Sequence, residues 1–147
     1  MTLAEATTPP TDATEPVLSV RNLTTRFHTQ DGTVYAVNGV SFDLADGEVL
    51  GVVGESGSGK SVTMMSLLRL IPSPPGDVAA GEAFFGDEDL LAMDLDVLRA
   101  VRGGKVGFIF QDPMTSLNPV VTVGRQIVES LEVHQPGSRK EMWARAL

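Results

Sequence analysis

Apolar and polar positions along this chain change period several times, and each change marks an element. Residues 17–44 are rich in Val, Leu, Phe and Thr and are broken at Gln30, Asp31 and Gly32. That pattern predicts two antiparallel strands, at about 18–28 and 33–44, joined by a turn. Asp46 and Gly47 turn the chain again, and residues 48–53 (EVLGVV) form a short, apolar, β-branched run of the kind that makes a fully buried strand. From about Lys60 the period becomes helical. Met64, Leu67, Leu68 and Ile71 recur at i, i+3, i+4 and i+7, one apolar face of a helix that stops before Pro72.

The proline-rich residues 72–76 start a loop, and a short strand follows around residues 82–85. The triplet Asp87, Glu88, Asp89 reads as a solvated turn, because nothing near it has ligand character. Residues 91–101 predict a short helix with Asp94 as cap and Leu95, Leu98 and Val101 on one face, closed by Gly103 and Gly104. Residues 106–110 (VGFIF) are a second candidate for a buried strand, ending at Gln111, Asp112 and Pro113. Residues 121–134 carry Val123, Ile127 and Leu131 at helical spacing. Ser138 with Glu141 forms a capping box for a last helix, on which Trp143 is a packing anchor.

Composition narrows the class. With 42% hydrophobic and 20% charged residues in 147, the chain reads as one globular domain, and a net charge of −8 argues against a nucleic-acid surface. No cysteine is present, which excludes disulfides and cysteine-ligated metal centres and fits a reducing compartment. His28 and His134 lack partners at metal-ligand spacing, and the scattered methionines Met64, Met65, Met93 and Met114 read as packing residues. No apolar run approaches a membrane span. Residues 1–16, rich in Thr, Pro and Ala, lack the basic start and apolar centre of a secretion signal and read as a disordered tail.

The chemistry is concentrated in residues 54–61. Gly54, Glu55, Ser56, Gly57, Ser58, Gly59, Lys60 and Ser61 fit the pattern G-x-x-x-x-G-K-[ST] without a mismatch, between a predicted strand and a predicted helix. Such a P-loop wraps backbone N–H groups round a polyphosphate where side chains would collide, so its glycines follow from its task. Lys60 is placed to reach the β- and γ-phosphates of a bound nucleotide, and the Ser61 hydroxyl to ligate Mg²⁺.

Residues 107–119 (GFIFQDPMTSLNP) resemble the Q-loop of ABC-transporter ATPase subunits of the oligopeptide/dipeptide uptake subfamily, and residues 54–61 and 122–127 are similar to that subfamily as well. The resemblance covers residues 17–147. It implies an α/β P-loop NTPase of the ABC type: an antiparallel β portion, the P-loop strand and helix, and the start of the helical subdomain. It also implies that Gln111 is the Q-loop glutamine, which reaches Mg²⁺ and the attacking water while the residues after it touch a membrane subunit. Phe27 resembles the aromatic on which adenine stacks, with Tyr35 as the alternative. Val62 stands where many members have Thr, which removes a hydroxyl contact to the α-phosphate and leaves the backbone N–H.

By the same resemblance the whole protein pairs with a second ATP-binding subunit around Mg·ATP, sits on the cytoplasmic face of the membrane against permease subunits, and works indirectly with an extracellular binding protein to energise peptide import. Nickel, glutathione or another small solute is an alternative cargo. Nothing in the chain resembles the LSGGQ signature, the Walker B carboxylates or the switch histidine, so residues 17–147 are expected to be the N-terminal part of an ABC-type ATP-binding domain, inactive in hydrolysis alone. A nucleotide- or membrane-subunit-binding fragment that is no enzyme, and a P-loop small-molecule kinase, are the rival readings.

Overall fold

The computed structural model describes residues 15–111 and 117–147. The tail expected at residues 1–16 falls outside the described residues except for Glu15 and Pro16, as do Asp112, Pro113 and Met114. The chain divides into two compact units, Met1–Asp94 and Leu95–Leu147.

The first unit is built on a four-stranded antiparallel sheet in the order β2-β1-β3-β4. Strands β1 (Leu18–Thr29) and β2 (Gly32–Leu44) form the hairpin that the pattern predicts, turning at Gln30 and Asp31. Strand β3 (Gly76–Phe85) is longer than residues 82–85, because β1 ladders it from Leu18↔Phe85 back to Phe27↔Gly76. The two-residue β4 (Glu88–Asp89) makes the acidic triplet part of a tight hairpin. There the Asp89 carboxylate accepts from Ala83 N–H at 3.2 Å and Leu91 N–H at 3.0 Å, a local bracing role with no ligand needed. Val20, Leu23, Val37, Val40, Ala83 and Leu90 are buried from the sheet, with Leu67 and Leu68 of helix α1 (Lys60–Leu67 and its cap).

Bulges bend this sheet at fixed points. Asn22 stands extra on β1 with φ 50, between the pairs Val20↔Phe42 and Leu23↔Val40, and its N–H donates to Ser41 Oγ at 2.8 Å. Gly81 lies against that bulge. At φ +112 it sits where a Cβ would meet Leu23 Cα at 2.6 Å and Arg21 O at 2.8 Å, so backbone touches backbone and no side chain fits. Further along, β2 carries an extra residue, Ala36, between Thr25↔Val37 and Arg26↔Tyr35, and β3 another, Ala79, between Thr24↔Ala80 and Thr25↔Val78. Ion pairs brace the exposed positions: Arg21 holds the Asp43 carboxyl below the usual carboxylate range, and Arg26 bonds Asp77 at 2.8 Å.

Helix α1 ends earlier than Pro72. Arg69 takes φ 50, Arg69 N–H bonds Ser66 O and Leu70 N–H bonds Met65 O, both at 2.9 Å, which closes the helix in a Schellman arrangement with arginine in the place glycine usually fills. Residues 48–53 also depart from expectation. They form no strand; Val49 is 94% and Val53 83% exposed. A buried strand exists only as a rung between neighbours, and among the described residues no segment ladders with this one.

In the second unit helix α2 (Leu95–Val101) starts at Leu95 rather than Leu91, since residues 90–92 turn on Asp89. Leu98 and Val101 are buried while Leu95 is 52% exposed. Residues 106–110 likewise form no strand beyond a single bridge from Val106 to Arg102, and Ile109 and Phe110 are exposed. Helix α3 (Val123–His134) buries Val128, not the line Val123, Ile127, Leu131. The reason is α4 (Arg139–Ala146): the Trp143 ring seats on Gly124, so the covered stripe runs Gly124 to Val128, one position round. Glu132 bonds Arg125 at 3.1 Å and Arg139 at 3.6 Å, tying the two helices. The capping box is complete: Ser138 N–H donates to Glu141 Oε2 at 2.7 Å and Ser138 Oγ accepts from Glu141 N–H.

Gly81→Ala is expected to lower unfolding stability by about 3 kcal/mol in urea titration, against about 1 kcal/mol for Gly86→Ala, whose φ of +59 is strained but whose Cβ meets nothing within 4 Å. Equal losses would mean that the Leu23 contact is unimportant. The bonds from Ser138 hold the Glu141 carboxyl below the usual glutamate range, so its contribution is complete above that range and is lost as pH falls through the lowered folded value. The protection factors of the Met142 and Trp143 amides, taken against intrinsic exchange at each pH, should therefore fall on acidification in the wild type, and in Glu141→Gln should be low and independent of pH.

Candidate functional site

The loop of residues 54–59 meets the sheet without room for a side chain. Gly59, the N-cap of α1, is buried at φ +93, and a Cβ there would stand 2.2 Å from Ala36 O, the carbonyl at the β2 bulge. The glycine required by the motif is thus also required by the packing. No side chain caps α1. Its first rung runs from Thr63 N–H to Gly59 O at 2.8 Å, so the N–H groups of Lys60, Ser61 and Val62 precede the ladder and lack helical acceptors. Donors and the positive end of the helix dipole converge there, which suits an anion.

The Lys60 side chain folds back across the loop, its Nζ donating to Gly54 O at 2.8 Å and Glu55 O at 2.7 Å. An ammonium has three donors, so one is left to aim elsewhere. Ser58 Oγ is buried with no hydrogen-bond partner and lies 2.7 Å from where a Cβ on Gly54 would stand. Glu55, Ser56, Gly57 and Ser61 are exposed and Val62 half-buried. A cradle of N–H groups, an ammonium and hydroxyls, with one hydroxyl orphaned, has the donor chemistry that a polyphosphate requires.

The sheet register separates the two aromatic candidates. Phe27 lies two residues from Thr25, whose hydroxyl bonds Ser66 of α1, so Phe27 shares the helix-covered face, where its ring approaches Gly76. Tyr35 pairs with Arg26 in the register, in a row with Asp77 on the other face, and is 57% exposed. Asp77 first, then Tyr35, holds the Arg26 guanidinium in its charged form. Gln111 belongs to the other unit, Leu95–Leu147, and is exposed there.

Reading α1 for its apolar face overlooks its hydroxyls. Thr63 and Ser66 are buried, as is Thr25 on β1. Thr63 Oγ1 donates to Gly59 O at 2.9 Å; Ser66 Oγ donates to Val62 O at 2.6 Å and meets Thr25 Oγ1 at 2.7 Å. The available signal was the i, i+3 spacing of two small hydroxyl residues directly behind the loop lysine.

A glycine loop feeding a helix beside a bulged antiparallel sheet, with the loop lysine folded over it, defines a P-loop protein. The sequence profile of the ABC transporter family matches residues 37–147, and the chain belongs to that family. It is 51% identical over 134 residues to the peptidoglycan transport ATP-binding protein YejF of Agrobacterium fabrum, covering 91% of this chain and 24% of that protein. To the oligopeptide transport ATP-binding protein OppD of Bacillus subtilis it is 47% identical, covering 89% of this chain and 37% of the relative. The chain therefore spans well under half the length of these relatives. The fold matches the ATP-binding cassette MJ0796, in a dimeric post-hydrolysis state bound to ADP and Pi, with TM-score 0.71 and 27% identity over 88% of this chain and 53% of that one.

Proposed function

We propose that this chain is the nucleotide-binding N-terminal part of an ATP-binding subunit that energises peptide uptake. The unpaired N–H groups at the start of α1, with the Lys60 ammonium folded over the loop of residues 54–59, carry the reading. A peptide cargo is supported by the names of the oligopeptide and dipeptide transport relatives from Bacillus subtilis, while the Agrobacterium fabrum relative is named for peptidoglycan transport. Gly54, Glu55, Ser56, Gly57, Ser58, Gly59, Lys60, Ser61 and Val62 hold the triphosphate through backbone N–H groups and the Lys60 ammonium, and Phe27 stacks on adenine from the helix-covered face. Among the described residues no group of three His, Cys, Asp or Glu could hold a metal ion. The Ser61 hydroxyl would hold a Mg²⁺ ion bound together with the nucleotide, and Gln111, in the other unit, is proposed from the sequence resemblance alone as the glutamine that would act on that ion and on the attacking water. Bound Mg·ATP supplies the reactive γ-phosphate and the cation that offsets its charge.

The whole protein acts as a pair of ATP-binding subunits on permease subunits, peripheral to the membrane on its cytoplasmic face and indirectly served by an extracellular binding protein. Among the described residues no helix is long and apolar enough to cross a membrane.

Lys60→Ala should weaken Mg·ATP binding about a hundredfold in calorimetric titration, because a charge-assisted contact to the phosphates goes. Equal affinities would remove Lys60 from the site. The chain as given should bind without sustained turnover, since in-line hydrolysis needs a positioned water and charge stabilisation that these residues do not complete. Steady phosphate release that disappears in Lys60→Ala would overturn that second expectation while leaving the first intact.

A further inference from the structure

We infer that the buried hydroxyl pair of Thr25 and Ser66 is a positioning device that sets the aromatic end of the nucleotide site in register with its phosphate end. The inference rests on the nucleotide-binding reading proposed above.

The direction of the bonds is fixed by chemistry. Ser66 Oγ has one proton, and Val62 O, 2.6 Å away, can only accept; the Ser66 proton therefore goes to Val62 O, and Thr25 Oγ1 donates to Ser66 Oγ at 2.7 Å. The relay runs from β1 through α1 to the carbonyl of Val62, in the first turn behind the loop. Thr25 and Ser66 are both 0% exposed, so water does not compete for these bonds. On the strand, Phe27 stands two residues from Thr25 on the same face.

Its place in the sheet explains why a side-chain bond is needed there. At Thr25 the ladder slips on both flanks: β2 bulges at Ala36 between Thr25↔Val37 and Arg26↔Tyr35, and β3 bulges at Ala79 between Thr24↔Ala80 and Thr25↔Val78. Bulges interrupt main-chain pairing and let a strand bend. Pairing resumes at Arg26 and Phe27 on both flanks, so the irregularity is local to Thr25, and there the Thr25 hydroxyl pins the strand to the helix whose start forms the phosphate cradle. Thr25 and Ser66 touch no ligand in this scheme. They fix the separation between a ring and a set of N–H groups, and a ligand that uses only one of the two ends does not sense it.

That distinction is the test. The 147-residue chain, Thr25→Val, Thr25→Ser and Val20→Ala are titrated with Mg·ATP and, separately, with inorganic tripolyphosphate and Mg²⁺, and their urea midpoints are measured. Thr25→Val keeps shape and strand preference, and Ser66 retains its bond to Val62 O, so the fold persists. It is expected to lose about tenfold in affinity for ATP and less than about twofold for tripolyphosphate, with Thr25→Ser restoring the difference. Val20→Ala, a core truncation on the same strand, should lower the midpoint without changing the ratio of the two affinities. Equal losses for both ligands in Thr25→Val, or a Thr25→Ser variant that behaves like it, would overturn the inference. Should Thr25→Val not fold, Ser66→Ala decides by the same ratio, since alanine favours the helix. A wild-type chain that binds neither ligand defeats the nucleotide reading itself, and the inference with it.

Discussion

Where the loop meets the sheet, a glycine rests on a carbonyl. Gly59 approaches Ala36 O so closely that a single methyl group would have to displace one or the other. The Ala36 carbonyl stands there because β2 bulges at that residue, and the bulge stands opposite the pair at which Thr25 turns its hydroxyl toward α1. Backbone contact of this kind has little give, since neither partner has a rotamer to change. The start of α1 is consequently at a set height over the strands, and the N–H groups of Lys60, Ser61 and Val62 inherit that height.

Polar burial does the remaining work of orientation. Thr25, Thr63 and Ser66 occupy positions that a packing argument alone would fill with valine or alanine. Apolar residues of like size would bury as much surface and leave the helix able to slide or rotate a few degrees, whereas each hydroxyl accepts only a narrow range of distances. The arrangement trades some adaptability of the core for a defined helix phase. A site whose donors must converge on one polyphosphate depends on that phase.

The parts legible in the sequence were those whose cause is local. Gln30 to Gly32 make a turn whatever lies beyond them, Ser138 and Glu141 cap each other across three residues, and the loop glycines follow from a pattern eight residues long. The parts misread were relational. Residues 48–53 and 106–110 have the composition of buried strands, but a strand is a property of a pair, and composition does not supply the second member. On α3 the helical period was right and the buried stripe was one residue off, because Trp143 selects Gly124, and a glycine does not register in an apolar pattern. Within the candidate site the loop was legible; the hydroxyl relay behind it was not, since Ser and Thr read as surface residues until a partner is known.

Residues 48–53 have a further consequence, in the behaviour of many copies rather than one. Val49, Leu50, Val52 and Val53 make a short β-prone run with open edges, the kind of segment that stacks into ladders between chains. It is bracketed by two carboxylates. Glu48 is held at its start by accepting Ala45 N–H at 2.7 Å, and Glu55 follows two residues after its end. Stacking copies in register would bring each glutamate about 4.8 Å from its counterpart above and below, a repulsion that grows with every chain added and that salt screens. The two glutamates act as gatekeepers of this run, and salt, by screening their charges, weakens that protection.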